Sequence, residues 1–166
     1  MAVRWRSYTA ADPSVRRVLR VPCGLLEVTA RGETLTGLSW QLETGQEAEM
    51  GGGMSAAWEQ LVAYFLNPFA AFECWLAESG TAFCRRVWQA LLEIPPGQVR
   101  TYGELAQQLE TSPRAVAAAC RANPYPIIVP CHRVVARTGL GGYCGQSQGA
   151  ALAIKRWLLR HEGWHG

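Results

Sequence analysis

An apolar run at residues 127–129, closed by Pro130, constrains the fold of this chain more than any other feature. Val129 is held extended because it precedes a proline, and Pro130 cannot continue a helix. The run therefore predicts a buried strand, with Cys131 and His132 at the exit of that strand.

The adjacent thiol and imidazole can form a nucleophile with its base. Only the thiolate is a strong nucleophile, and a nearby imidazole can accept the thiol proton. Neighbouring side chains on an extended chain point to opposite faces, so we expect a bridging water to relay the proton from Cys131 to His132. The alternative is that Cys131 is a small buried hydrophobe.

The composition predicts a folded, intracellular protein. The chain has 166 residues, 49% of them apolar, which is enough for one core or a core shared by two small subdomains. No apolar stretch is long enough to span a membrane, and residues 1–20 lack the apolar core of a signal peptide. We therefore expect a cytoplasmic location and no membrane partner.

The six cysteines are scattered along the chain and contain no CxxC pair. Without a secretory signal, reduced thiols are the expectation rather than a disulfide framework. We expect no metal site, because no histidine has zinc-finger spacing from a cysteine.

Charge is divided unevenly between the two halves of the chain. Residues 1–79 hold six arginines and nine acidic residues, a net charge of −3, whereas residues 80–166 hold ten basic and four acidic residues, a net charge of +6. A basic C-terminal half fits a polyanionic partner. The alternative is ordinary variation in composition.

The N-terminal part, residues 1–79, is predicted to be a small α/β domain with a mostly antiparallel sheet and a helix. Residues 15–42 predict two or three strands, residues 43–53 a surface loop and residues 56–66 a helix. Residues 69–76 predict a last strand.

The C-terminal part, residues 80–166, is predicted to be mostly α-helical. Residues 81–92 form an amphipathic helix, and residues 101–109 and 113–121 form two helices joined by a three-residue turn. These are the proportions of a helix-turn-helix motif. Ser112 is a natural N-cap, and proline is favoured at the first helical position, where Pro113 stands.

A series of motifs accompanies the Cys131 segment in a fixed order. They are Ile94-Pro95-Pro96-Gly97, Thr101-Tyr102-Gly103-Glu104, Arg114-Ala115-Val116, Asn123-Pro124-Tyr125-Pro126, Pro130-Cys131-His132-Arg133, the glycine-rich residues 139–145 and Arg160-His161-Glu162-Gly163. Together they resemble the O6-alkylguanine-DNA alkyltransferases (methylated-DNA–protein-cysteine methyltransferases), which are single-turnover DNA repair proteins. The resemblance covers about half of the chain, residues 80–163, and is weak before it.

The resemblance implies a reaction at Cys131. The O6 atom of guanine lies inside the base stack, so the alkylated base must be flipped out of duplex DNA. Cys131 then takes a methyl or small alkyl group, His132 accepts the thiol proton through water, and Glu162 holds the imidazole. The resemblance implies no cofactor, a monomer and double-stranded DNA containing O6-alkylguanine as partner; O4-alkylthymine stays open as a second substrate.

The resemblance also implies how the base is held. Tyr102 would donate to guanine N3 and stabilise the charge that develops as the base departs. The carbonyls of Cys131 and Val134 would accept from the exocyclic amine. The N–H of Cys144, next to Tyr143, would face O6.

The second helix of the motif would enter the minor groove, with Ala115 on its smooth surface. Arg114 would fill the space that the flipped base leaves, and Asn123 would tie the following turn to this helix. Ala117 departs from the family, in which glycine is frequent nearby, and its methyl group bears on how closely the helix approaches DNA.

Two further departures distinguish this chain from the family pattern. Residues 146–151 form an insert, in which Ser147 is a candidate N-cap for the last helix. Cys144 is an unusual residue at a variable position. We hypothesise that it can form an inactivating disulfide with Cys131.

Three alternatives stay open at this point. A helix-turn-helix regulator would need base-reading side chains, which residues 115–119 do not offer. A Cys–His hydrolase would need an oxyanion hole and would leave the DNA features unexplained. A damage sensor without catalysis would not require the thiol of Cys131.

Overall fold

The computed structural model describes residues 2–42 and 56–166. The chain divides into two compact units, Met1–Glu78 and Ser79–Gly166. The surface loop predicted at residues 43–53 lies outside the described residues. In the described part of the chain, no helix is both long and apolar enough to cross a membrane.

The first unit contains a five-stranded sheet in the order β1-β5-β4-β3-β2. Its strands are β1 (Ala2–Arg6), β2 (Ser14–Val21), β3 (Gly24–Arg31), β4 (Thr34–Gln41) and β5 (Glu73–Ala77), and helix α1 spans Ala56–Leu66. Strands β2, β3 and β4 are antiparallel neighbours, whereas β5 pairs in parallel with both β4 and β1. Residues 15–42 therefore hold three strands, α1 lies where it was predicted, and β1 was not anticipated.

Alternation of apolar residues builds this sheet. Leu26, Val28 and Ala30 of β3 are buried on one face. The register slips between Thr29 and Ala30, because β4 carries an extra residue at Thr36 that bulges from the ladder. The slip brings both Leu35 and Leu38 of β4 into the core.

The second unit is mostly helical, as predicted. Its helices are α2 (Ala82–Leu92), α3 (Tyr102–Gln108), α4 (Pro113–Arg121) and α5 (Ala150–His161), with a 3₁₀ turn at Cys131–Arg133. Two short parallel strands, β6 (Arg100–Thr101) and β7 (Val134–Val135), join the start of α3 to the end of that turn.

Helices α3 and α4 form the predicted helix-turn-helix pair, and side chains fix both starts. Thr101 and Glu104 form a reciprocal capping box at α3. Ser112 caps α4 by accepting from the N–H of Ala115 at 3.2 Å. The indole N–H of buried Trp88 in α2 donates to the carbonyl of Ala119 at 2.8 Å, which ties α4 to the core.

The strand predicted before Cys131 is wrong. Residues 127–129 are buried but form a turn, and Ile127 has a φ of 76°. The side chain of Asn123 closes this turn: its amide donates to the Val129 carbonyl at 2.8 Å, and its oxygen accepts from the N–H of Tyr125 at 2.9 Å. These local bonds replace the ladder that a strand would need.

The N-cap predicted at Ser147 is also wrong. Helix α5 begins at Ala150, after Gly149, and no side chain caps it. Gly149 has a φ of 83°, a conformation that glycine adopts without a steric penalty. The chain therefore enters α5 through a glycine turn.

Candidate active site

Cys131 lies in the wall of a cavity of about 370 Å³ and is 7% exposed. Pro130 has φ −82° and ψ 65°, and the N–H of Cys131 donates to the Val129 carbonyl at 2.8 Å. This is an inverse γ-turn, and it starts the 3₁₀ turn that carries the thiol. The cavity is lined by Tyr102, Ala117, Cys120, Arg121, Cys131 and residues 142–147.

His132 is fully buried, and its Nε2 lies 2.8 Å from Oε1 of Glu162. Its Nδ1 has no hydrogen-bond partner among the described residues. A neutral imidazole that gives its Nε2 proton to Glu162 leaves Nδ1 as the proton acceptor. Burial lowers the pKa of His132, and Glu162 opposes this only in part. His132 is therefore neutral and can accept a proton at neutral pH.

Arg133 holds Glu162 from the other side, a role that the sequence analysis missed. Its Nε donates to Oε2 at 2.9 Å and its Nη2 to Oε1 at 2.8 Å, while Nη1 donates to the carbonyl of Ile94. Burial alone would raise the pKa of Glu162, but His132 and Arg133 outweigh it and hold the pKa well below its usual range. Glu162 is therefore a carboxylate that three donors fix in place.

The backbone next to Glu162 permits only glycine at one position. Gly97 has a φ of 81°, and a Cβ atom there would lie 2.9 Å from the carbonyl oxygen of Glu162. The Ile94-Pro95-Pro96-Gly97 motif thus places the Ile94 carbonyl on Arg133 and the Gly97 turn against the end of α5.

Lys155 is the second buried cation of this region. Its Nζ donates to the carbonyl of Val134 at 2.6 Å and to that of Gly142 at 2.9 Å, and the residue is fully buried. Burial lowers the pKa of Lys155 to about 8, although thiol groups nearby oppose the change. Lys155 thus lies beside the cavity, because its acceptor Gly142 lines it.

The pKa of the Cys131 thiol is set by opposing effects. Burial raises it, whereas a hydrogen bond from the Asn123 side chain and the charge of Lys155 lower it. Asn123 thus supports the site in two ways, since it also closes the turn before Cys131. The net pKa stays above that of a free thiol, so ionisation requires a base.

Tyr102 stands at the start of α3 and reaches the cavity. Its hydroxyl lies 3.4 Å from the carbonyl of Gly142, a long hydrogen bond, and burial raises the pKa of the phenol. Gly141 has a φ of 72°, and a Cβ there would lie 3.0 Å from the Tyr102 ring. The hydroxyl is protonated at neutral pH and can donate.

Cys144 occupies the tip of a tight hairpin at the cavity rim. Tyr143 and Gln146 exchange two backbone hydrogen bonds, of 2.8 and 2.9 Å. Cys144 and Gly145 both have positive φ, 50° and 74°, the signature of a type I′ turn. The side chain of Cys144 is exposed, whereas Tyr143 is buried.

A third thiol reaches the same cavity. Cys120, interpreted from the sequence as a buried hydrophobe, lies half-buried in the cavity wall, and burial raises its pKa. All six cysteines are free thiols. Within the described residues, no group of three or more His, Cys, Asp and Glu side chains could hold a metal ion.

The comparisons with known proteins identify a family. Residues 82–164 match the family described as "6-O-methylguanine DNA methyltransferase, DNA binding domain". The chain belongs to this family. The prediction of the family from the motifs is therefore confirmed.

Relatives with solved structures or curated names extend the match. The methylated-DNA–protein-cysteine methyltransferase of Salmonella typhimurium is 50% identical over 117 residues, which cover 68% of this chain and 64% of that protein, just under two thirds of its length. That of Mycobacterium tuberculosis is 40% identical over 154 residues, covering 88% and 90%. The crystal structure of Mycobacterium tuberculosis OGT in complex with DNA has a TM-score of 0.76 at 38% identity, covering 89% and 92%.

Helix α4 is the second helix of the α3–α4 pair. Arg114 is exposed on its first turn and Ala115 is half-buried. Neither lines the cavity, whereas Ala117 and Arg121 of the same helix do. Sequence reasoning missed Arg121; its spacing of four residues from Ala117 places it on the same helix face.

Proposed function

We propose that this protein repairs DNA by transferring a methyl or small alkyl group from the O6 atom of guanine to Sγ of Cys131. The observation that carries the proposal is the buried neutral His132 next to Cys131, with Nε2 on Glu162 and Nδ1 open. The names of the relatives support the same chemistry.

The transfer is a displacement at carbon. A water passes the thiol proton of Cys131 to Nδ1 of His132, and the thiolate attacks the alkyl carbon in line. The S–C bond forms as the C–O6 bond breaks, and the departing guanine anion takes up a proton. Lys155 and Asn123 stabilise the thiolate, and Tyr102 donates to N3 of the departing base.

The damaged base carries the electrophile itself, so we expect no cofactor. The product is a thioether, for which the site offers no hydrolysis route, and each molecule therefore reacts once. We expect it to act as a monomer on duplex DNA that contains O6-alkylguanine, in the cytoplasm.

The cavity walls suit a flipped base. Cys131, whose carbonyl would accept from the exocyclic amine, lines the cavity. Val134, expected to accept from the same amine, is fully buried outside that lining, and its carbonyl accepts from Lys155. The N–H of Cys144 would meet O6, with Tyr143 buried beneath the hairpin. Arg114 would fill the space that the flipped base leaves in the base stack, and Ala115 would face the minor groove.

The two units have different roles in this proposal. The predicted C-terminal domain, residues 80–166, binds DNA and reacts, while residues 1–79 form a supporting domain. The N-terminal sheet buries apolar side chains and Thr34, and no buried charge is found among its described residues.

The test is the mass of the protein after mixing with a duplex that contains one O6-methylguanine. We expect one methyl group per molecule, on the peptide that holds Cys131, and none in Cys131→Ala. The matched controls Cys120→Ala and Cys144→Ala remove the other thiols of the cavity and should still gain the methyl group. Tight lesion binding without transfer would instead establish a damage sensor.

A further inference from the structure

The second unit has another cavity, of about 590 Å³, outside the site described above. Its walls come from the start of α3, the turn after β7, the outer face of α5 and the C-terminal tail. Three arginines line it: Arg137 in the turn, and Arg156 and Arg160 on α5. His165 and Trp164 of the tail complete it.

The three guanidinium groups are exposed, and none has a hydrogen bond or ion pair within the described part of the chain. Arg156 and Arg160 are four residues apart, so they are neighbours on one helix face, where like charges repel. No acidic residue lines the cavity. Glu104 is bound to the N–H of Thr101 at the α3 cap, 2.7 Å away, and Glu162 is bound by His132 and Arg133.

This cavity adjoins the cavity of Cys131. Thr101 lines it, while the next residue, Tyr102, lines the cavity of Cys131. In the same way Gly139 and Leu140 line it, while Gly142 lines the cavity of Cys131. The two cavities are therefore lined by neighbouring residues of the same two segments, residues 101–102 and 135–147.

We propose that Arg137, Arg156 and Arg160 bind phosphodiester groups of the DNA backbone, at a site separate from helix α4. The planar guanidinium fork matches the geometry of a phosphate and binds it in a bidentate manner. Trp164 gives the cavity an aromatic wall that suits the sugar and base beside a phosphate. These contacts carry no sequence information, which suits a protein that must bind damage anywhere.

The test is the salt dependence of binding to an unmodified duplex, so that it does not depend on alkyl transfer. The slope of log K against log[salt] should become less steep by about 0.9 for each phosphate that the protein no longer neutralises. We expect the slope to become less steep by about 0.9 in Arg137→Gln and by nearly twice that amount in Arg156→Gln/Arg160→Gln.

The charge-matched control is Arg16→Gln/Arg20→Gln, which removes two exposed arginines four residues apart on β2. Its slope should equal that of the unaltered protein. An unchanged slope in Arg156→Gln/Arg160→Gln would overturn the inference, as would an equal change in both double variants, which would indicate a general charge effect. Methyl transfer to Cys131 at saturating DNA is measured separately in each variant. A failure of the proposed function can therefore be distinguished from a failure of the phosphate site.

Discussion

Two ion pairs, one in each unit, lie in opposite environments. Arg16 and Glu27 pair across β2 and β3, with side chains 52% and 20% exposed. Arg133 and Glu162 pair in the second unit with side chains 8% and 1% exposed. The first pair stays in contact with water, whereas the second has been removed from it.

The difference shows what each unit requires from its charges. A buried pair costs more desolvation than an exposed one, and apolar residues of the same volume often stabilise as well. Among the described residues, the buried basic and acidic side chains, His132, Arg133, Lys155 and Glu162, all lie in the second unit. We infer that these groups are buried for the chemistry of Cys131, since the described part of the N-terminal unit buries no such side chain.

The largest effect is expected from Glu162→Gln. It leaves Arg133 buried without its counter-charge, which should lower the free energy of unfolding by about 3–5 kcal/mol. Urea unfolding measures the change. A loss below about 1 kcal/mol would mean that the Arg133–Glu162 pair is effectively solvated, and that it does not differ from the Arg16–Glu27 pair.

Trp88→Phe should have the next largest effect. The substitution removes the N–H that satisfies the buried carbonyl of Ala119, at a cost of about 1–3 kcal/mol. The control is Trp75→Phe in β5, a half-buried ring that Arg6 covers at 4.7 Å from the ring centroid. Thermal unfolding of both variants should show the smaller loss at Trp75, and equal losses would contradict the assigned role of the Trp88 bond.

Ser112→Ala removes the cap of α4 and should cost about 1 kcal/mol. The N–H of Ala115 loses its acceptor, so the first turn of the helix should fray. Amide hydrogen exchange at that turn measures this. Ser112→Asp restores an acceptor and should restore protection; unchanged exchange in Ser112→Ala would show that the cap contributes nothing.

The smallest effect is expected from Glu27→Gln. The pair is solvated, so we expect a loss of about 0.2–1 kcal/mol in urea unfolding. Arg16 lowers the pKa of Glu27, so its contribution is present above the unfolded pKa and is lost as pH falls through the folded one. A loss as large as that of Glu162→Gln would contradict the comparison.

The sequence predicted elements that depend on local signals. Helix α4 begins where Ser112 and Pro113 predicted, and α1 has the predicted bounds. Strand β1 was missed because it pairs with β5, which is distant in sequence; Val3, for example, pairs with Cys74. A local sequence pattern does not indicate such a pairing. The strand before Cys131 was predicted wrongly because proline and apolar spacing do not reveal that Asn123 closes a turn.

The same limit applies to the site. The motifs identified Cys131, His132 and Glu162 as a group. Arg133 and Lys155 were not assigned, because their acceptors, the Ile94, Val134 and Gly142 carbonyls and the Glu162 carboxylate, are distant in sequence. The available signal for Arg133 was a basic residue directly after His132, in a chain whose last helix is followed by the acid Glu162.

The central claim is that neutral His132 deprotonates Cys131. The measurement is the pH dependence of the single-turnover rate of methyl transfer, in the unaltered protein and in His132→Gln. Because burial lowers the pKa of His132, the rate should persist as pH falls to the ordinary histidine pKa of 6.5 and decline only below it; the decline should be absent from a much slower His132→Gln. A rate that rises with pH in the same way in both proteins, as a free thiolate would give, would contradict the claim.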